Sequence, residues 1–383
     1  MKPEWPKRLA LAALSTLVAL AAVELGLRLF FPQVQQHDLM FQYDPELGWT
    51  FLPDKRGSIV YEGEVAHYIR TNPEGFRDRP FPPPGEPVRR VIVIGDSFVS
   101  NISVGDDEVF TEQMEQRLPE TTVMNCGVNG YGQVQEYLLL RRLLATYRPE
   151  VVVTVVYVGN DFHDNLDQSW IRRPRPWARL SAGGPDVEIV PGGEWHPAPP
   201  RVRSWSDRFW RGLHLRGFVE SRADYFRHRL RVTGSKTRAL SRYRPPELDL
   251  SRKKLSPESE EGYRVLERML VRIVRLCKER GARCLFVVAP TEDQVDPERW
   301  AQLLKRHRVA PSDCDPAAPD RRLVEFAGRE GLDLLDLLPL LRDAAAKGTP
   351  MYYTKEMHWT AEGNLVVADA VLDFIEAKGL LKD

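Results

Sequence analysis

The chain has 383 residues, of which 43% are hydrophobic and 28% charged, a globular balance with ample material for a buried core. Lysine plus arginine equals aspartate plus glutamate at 54 each, so the formal net charge is zero, which excludes the strong basic excess of a dedicated nucleic-acid binder. Four cysteines (Cys126, Cys277, Cys284, Cys314) are too few for a disulfide scaffold, and their spacing fits no zinc pattern.

The first element is apolar. Lys2, Lys7 and Arg8 precede a run of 23 positions from Leu9 to Phe31. As a helix this run would be about 34 Å long, enough to cross a bilayer. The basic flank predicts a cytoplasmic N-terminus and an exported body. A cleaved signal peptide is the competing reading, because Ala19-Leu20-Ala21 offers a small-x-small site; the body would then be secreted. Glu24 is costly at mid-bilayer but tolerable near the outer interface. Residues 1–32 are therefore read as a membrane anchor or signal segment. Residues 33–87 are rich in turn signals, including Pro45-Glu46-Leu47-Gly48-Trp49, Asn72-Pro73-Glu74-Gly75-Phe76-Arg77 and a proline cluster at 80–87. They predict an irregular cap between anchor and domain.

Val91-Ile92-Val93-Ile94, ended by Gly95, predicts a buried strand. A helix near 108–118, a strand at 122–125, a helix near 133–147 and an apolar strand at 151–158 follow. Regular alternation resumes with Leu266, Leu270, Ile273 and Cys277 at helical spacing, then a strand at 284–289. Helical patterns near 297–307 and 319–330 precede a short strand at 332–335, and the last helix starts after Thr360, an N-cap residue. Strands apolar on both faces, alternating with helices, predict an α/β domain with a doubly wound, flavodoxin-like parallel sheet over 88–165 and 256–383. Residues 166–255 interrupt it. Five of the nine tryptophans lie there, and 201–245 carries 13 Lys/Arg against 3 Asp/Glu. A segment near 205–230 has helical character. This insertion reads either as a lid or platform beside the site or as a solvated basic surface near anionic headgroups.

The chemistry sits at predicted strand ends, where open parallel sheets place their sites. Gly95-Asp96-Ser97 follows the first strand, and a glycine there permits the sharp turn that exposes a serine hydroxyl. Asn125-Cys126-Gly127-Val128-Asn129-Gly130 follows the second strand and Gly159-Asn160-Asp161 the third. Backbone N–H groups at a glycine turn and a side-chain amide suit a developing oxyanion. Of the eight histidines, His358 alone stands just after the last strand region and just before the final helix, with Glu356 two residues away, and is placed to serve as a base. The glycine spacing is not that of a dinucleotide site, and no P-loop or Gly-x-Ser-x-Gly occurs. Asp161-x-His163-Asp164 has the look of a metal cluster, but loop acids near a strand end more often bond locally.

Taken together, these blocks resemble the SGNH, or GDSL, hydrolases. Gly95-Asp96-Ser97 matches the serine block and Gly130 the glycine block; Asn160-Asp161 matches the third, with its glycine at Gly159, adjacent to the asparagine. His358 matches the fourth block, although Lys355 stands where that family usually carries an aspartate and the nearest acid is Glu356. The anchor, Gly48-Trp49 and Asn72…Arg77 resemble bacterial membrane-anchored members. The resemblance implies a serine esterase without cofactor or metal. Ser97 would be the nucleophile, His358 the base, Glu356 its orienting acid, and the N–H groups of Ser97 and Gly130 with the Asn160 amide the oxyanion hole. The implied partners are an acylated small molecule or glycan, with O-acetyl esters one candidate, and the membrane through the N-terminal helix; no nucleic acid is expected. The alternatives are an O-acyltransferase delivering to a glycan hydroxyl and a non-catalytic glycan-binding relative.

Overall fold

A computed structural model describes residues 4–30, 41–61, 65–171, 173–181, 186–195, 213–219, 246–354 and 357–381. Helix α1 (Trp5–Phe30) is continuous over 26 residues, wholly unburied, and long and apolar enough to cross a membrane. Its one acid near the far end is fully occupied. Glu24 pairs with Arg28 at 2.6 Å and accepts the backbone N–H groups of His214 and Leu215 at 3.0 and 2.8 Å. Those two residues open the short helix 214–219, the described part of the segment expected to be helical near 205–230; the rest of that segment lies outside the described residues.

The described residues between 41 and 87 are more regular than their turn-rich composition implies. Strands β1 (Phe41–Asp44) and β2 (Gly48–Phe51) pair antiparallel, as do β3 (Arg56–Tyr61) and β4 (Val65–Arg70). Short hairpins of this kind escape a reading based on apolar alternation because each strand has only four to six residues.

The central sheet is parallel. β5 (Arg89–Ile94), β6 (Thr121–Asn125), β7 (Val151–Tyr157), β12 (Arg283–Ala289) and β13 (Asp333–Asp336) stand in the order β13-β12-β7-β5-β6. The chain starts at β5, steps outward to β6 and returns to β7 on the other side, which is the flavodoxin-like order with its switch point between β5 and β7. Alternate residues face opposite layers. Ile92, Ile94, Val152, Val156 and Phe286 meet Leu139 and Leu143 of helix α4 (Gln133–Thr146), with Leu266, Leu270 and Ile273 of the long helix Pro257–Glu279. Val91, Val93, Val153, Val155 and Val287 meet Phe110 and Met114 of helix α3 (Phe110–Glu115), with Val367, Val371 and Ile375 of the final helix Ala361–Ala377. A strand buried on both sides is apolar along nearly its whole length, which is why β7 reads Val-Val-Val-Thr-Val-Val-Tyr, with Thr154 as its one hydroxyl-bearing aliphatic position.

The insertion enters as two antiparallel pairs, β8 (Ser169–Trp170) with β9 (Arg173–Pro174) and β10 (Trp177–Leu180) with β11 (Val187–Val190). One expectation fails at the C-terminal end. His358 does not directly follow the last strand, because helix Leu338–Ala346 and a loop closed by the Tyr352–Trp359 bridge intervene.

Arg77 locks the cap to the domain. Its guanidinium, almost fully buried, donates to the carbonyls of Ser100 (3.1 Å), Asn101 and Val104 (2.6 Å) and pairs with Asp106 at 3.2 Å. Asn101, at φ +28°, ends the helix that Ser97 begins, so this one side chain holds a strained turn. Replacing Arg77 with methionine strands three buried acceptors at about 1–3 kcal/mol each. Arg77→Met is therefore expected to lower unfolding free energy by about 3 kcal/mol or more, read from denaturant midpoints of the detergent-solubilised chain, with Arg77→Lys intermediate because it keeps charge but loses the fork.

Candidate active site

β5 ends at Ile94, and after Gly95 the chain turns at Asp96, 1% exposed. One Asp96 oxygen accepts the Phe98 N–H at 2.8 Å and caps the short helix α2 (Ser97–Ser100). Ser97 is thereby the first helical residue, half-buried at the carboxyl edge of the sheet. His358 Nε2 lies 2.7 Å from Ser97 Oγ, across 261 positions of sequence. The histidine is buried, with its ring 4.9 Å from that of Phe98. Its carbonyl accepts from Tyr353 N–H at 3.0 Å, and the Thr360 hydroxyl caps the final helix two residues on. Both partners are held by backbone hydrogen bonds within a few residues of the contact.

Asn160 follows β7. Its amide donates to Asp164 at 2.8 Å and to Asp96 Oδ2 at 3.2 Å, and that same Asp96 oxygen lies 3.5 Å from Ser97 Oγ. Gly130 sits in the turn after β6 at φ +76°, in the left-handed region open to glycine. A Cβ there would stand 2.4 Å from the Trp170 indole. The fold therefore brings Ser97 and His358 into contact, ties Asn160 to them through Asp96, and sets Gly130 on the adjoining turn beneath Trp170. Glu356 lies outside the described residues. Asp161 turns inward, accepting the Tyr157 N–H at 2.8 Å and the Gln133 amide, which fixes the loop to its own strand. Among the described residues no cluster of three or more His, Cys, Asp or Glu is arranged to hold a metal ion.

Burial dominates the electrostatics. It pushes the carboxyls of Asp96, Glu136 and Asp161 up, and that of Asp164 to about 6, where Arg175 pulls it back. Arg175 donates to Asp164 at 2.8 Å and to Gln135 at 3.1 Å, and its guanidinium lies 5.6 Å from the Trp49 ring. Trp49 in turn donates to the Asn129 carbonyl at 3.0 Å and stacks on Trp170 at 5.1 Å. The sequence assigns no role in the site to Asp96, Trp170 or Arg175, and places Asp164 only in a metal-like cluster read as bonding locally. The only signal was their nearness in sequence to Ser97 and Asn160; spacing does not say which tryptophan or arginine of the insertion turns inward. A separate groove of about 660 Å³, lined by Glu292, Asp296, Arg342, Tyr352 and Thr354 among others, borders the 348–354 loop but includes neither Ser97 nor His358.

Residues 250–383 match the family model described as "SGNH hydrolase-like domain, acetyltransferase AlgX". The resemblance to SGNH hydrolases and the α/β fold class read from the sequence are both borne out; the matched range contains His358 but not Ser97, Gly130 or Asn160. No curated protein matches the chain. Similar solved structures include TesA (14% identity, 76% of this chain and 100% of that one, TM-score 0.39). A lipolytic G-D-S-L family member from Veillonella parvula DSM 2008 is another (10% identity, 75% and 97%, TM-score 0.38). A third is the acetyl xylan esterase AlAXEase (12% identity, 74% and 98%, TM-score 0.36).

The crowding at Gly130 is directly testable. Gly130→Ala adds a left-handed penalty of about 1–2 kcal/mol and forces the indole of Trp170 aside. The expected outcome is a fall of at least about 1 kcal/mol in unfolding free energy together with an altered tryptophan emission spectrum.

Proposed function

We propose that this chain is a serine-dependent acyl-transfer enzyme, an esterase whose catalytic body lies outside the cytoplasm and is tethered by α1. The observation that supports this reading is the 2.7 Å contact between Ser97 Oγ and His358 Nε2 at the carboxyl edge of a parallel sheet. Ser97 attacks the ester carbonyl as His358 takes the hydroxyl proton. The tetrahedral oxyanion is met by the Ser97 and Gly130 N–H groups and by the Asn160 amide, whose longer bond, to Asp96, is the one exchanged for the oxyanion. Collapse breaks the ester bond, and the His358 proton leaves with the alcohol. Water then attacks the acyl-Ser97, His358 again accepting a proton, and collapse releases the acid as His358 returns that proton to Ser97 Oγ. Glu356 orients His358 through its second ring nitrogen and stabilises the imidazolium.

A second reading keeps the serine and changes the acceptor. The family description over residues 250–383 names an acetyltransferase, which favours delivery of the acyl group to a sugar hydroxyl in place of water. Product analysis with an acetylated donor, with and without sugar acceptors, separates the two: free acetate in both cases marks the esterase, acceptor-dependent ester formation the transferase.

Two variants test the machinery. A serine-reactive phosphonate should label Ser97, and Ser97→Ala should abolish turnover of a short-chain aryl ester; wild-type turnover in the alanine variant would sink the assignment. Glu356→Gln should lose roughly 100-fold or more in turnover with folding unchanged, because a base in the wrong tautomer can cost about 10⁴. A loss below about threefold would reduce the machinery to Ser97 and His358.

A further inference from the structure

The insertion supplies more than a surface. Its first residues return to the back of the site: the Arg175 N–H donates to the Gln168 carbonyl at 3.0 Å, and the Ala178 N–H to the Asn165 carbonyl at 2.7 Å. The Asn165 side chain is itself bonded to Gln133 (2.6 Å), to the Asp161 carbonyl (2.8 Å) and to the Val134 N–H (3.0 Å). Arg175 is thus delivered to a fixed place, 1% exposed, against Gln135, Trp49 and Asp164.

From there a continuous chain of contacts leads to the nucleophile. Arg175 holds one oxygen of Asp164 at 2.8 Å, and the other oxygen of Asp164 accepts from the Asn160 amide, also at 2.8 Å. An amide nitrogen carries two hydrogens in one plane, so fixing one fixes the direction of the other. The second hydrogen points to Asp96 Oδ2 at 3.2 Å, an oxygen that is also 3.5 Å from Ser97 Oγ. The amide is therefore aimed at the neighbourhood of the nucleophile by a carboxylate, and that carboxylate is aimed by a guanidinium.

We propose that Arg175 is a positioning residue for acyl transfer, acting through Asp164 on the amide of Asn160. This rests on the serine reading above and extends it, because it assigns the start of the insertion to the oxyanion-binding machinery. Preorganised donors stabilise a transition state only if their direction is fixed beforehand, and outright loss of one donor costs about 10²–10³ in turnover. Misaiming it costs less. Arg175→Gln should lower kcat roughly 10–100-fold and leave KM within about threefold, since the oxyanion forms only in the transition state. Arg175→Lys, which keeps the cation without the two-pronged fork, should fall between the two.

Two further measurements separate positioning from a merely structural role. The first is a double-mutant cycle on kcat with Asn160→Ala. If Arg175 acts through Asn160, its effect disappears in that background; a structural role gives additive losses. The second is the pH profile of kcat. Asp164 faces Asp96, Glu136, Asp161 and Asp167 as well as Arg175, and Arg175 is the group drawing its carboxyl down. Removing that cation should shift the acid limb of kcat toward neutral pH. Thermal unfolding of each variant accompanies the kinetics, and if Arg175→Gln does not fold, Arg175→Lys carries the same cycle. Wild-type kcat in a folded Arg175 variant, or additive losses in the cycle, would overturn the positioning role alone. Turnover surviving in Ser97→Ala would overturn the serine reading and this proposal with it.

Discussion

Four carboxyl groups, Asp96, Glu136, Asp161 and Asp164, lie buried behind the carboxyl ends of β5 and β7, and the guanidinium of Arg175 pairs with Asp164 and draws on Glu136. Buried charge is expensive to maintain, and removing the partner of a buried ion is usually more damaging than the pair is helpful. Such a cluster persists only when its geometry is over-determined. Here the Gln133 and Gln135 amides, the Asn165 side chain and the N–H groups of Phe98 and Tyr157 surround it. Holding these acids in place also holds the loops that carry Ser97 and Asn160.

Three regions distant in sequence converge on that cluster. The sheet contributes the strand ends. The N-terminal cap contributes Trp49, which lies between Arg175, Trp170 and the Asn129 carbonyl. The insertion contributes Trp170 and Arg175. Ser97 and His358 belong to the α/β core, whereas Trp49, Trp170 and Arg175 near them come from the N-terminal hairpin and the insertion. The insertion also reaches helix α1, through the Glu24 carboxylate on the start of helix 214–219. One segment of chain therefore touches both the site and the apolar helix.

Much of this protein was legible in its sequence because the relevant signals are local. A strand covered on both faces carries a nearly unbroken apolar run, so β5, β7 and β12 stood out with ends correct to within one or two residues. Thr360 marked the start of the final helix because a cap hydroxyl must stand beside the N–H it satisfies, here that of Gly363. The apolar run that became α1, and the appearance of Ser97, Asn160 and His358 at the turns between elements, with Ser97 opening α2, were equally local facts. The hairpins β1–β2 and β3–β4 and the helix Leu338–Ala346 were not legible, because short elements are decided by what they pack against.

What only the tertiary structure decided is which distant side chains meet. Sequence spacing cannot bring His358 to 2.7 Å from Ser97; the parallel strand order does so, by folding the C-terminal loop over the end of β5. The same holds for Arg175. In the sequence it is one of many arginines in a basic insertion, and its neighbours carry no mark of burial. In the fold it is buried because Asp164 and Trp49, supplied by a loop and a hairpin far apart in the chain, leave it a polar partner and an aromatic face. Periodicity records which side of an element is buried, since burial acts on each residue in turn; the meeting of a cation and a carboxylate depends on two segments at once, and neither one alone encodes it.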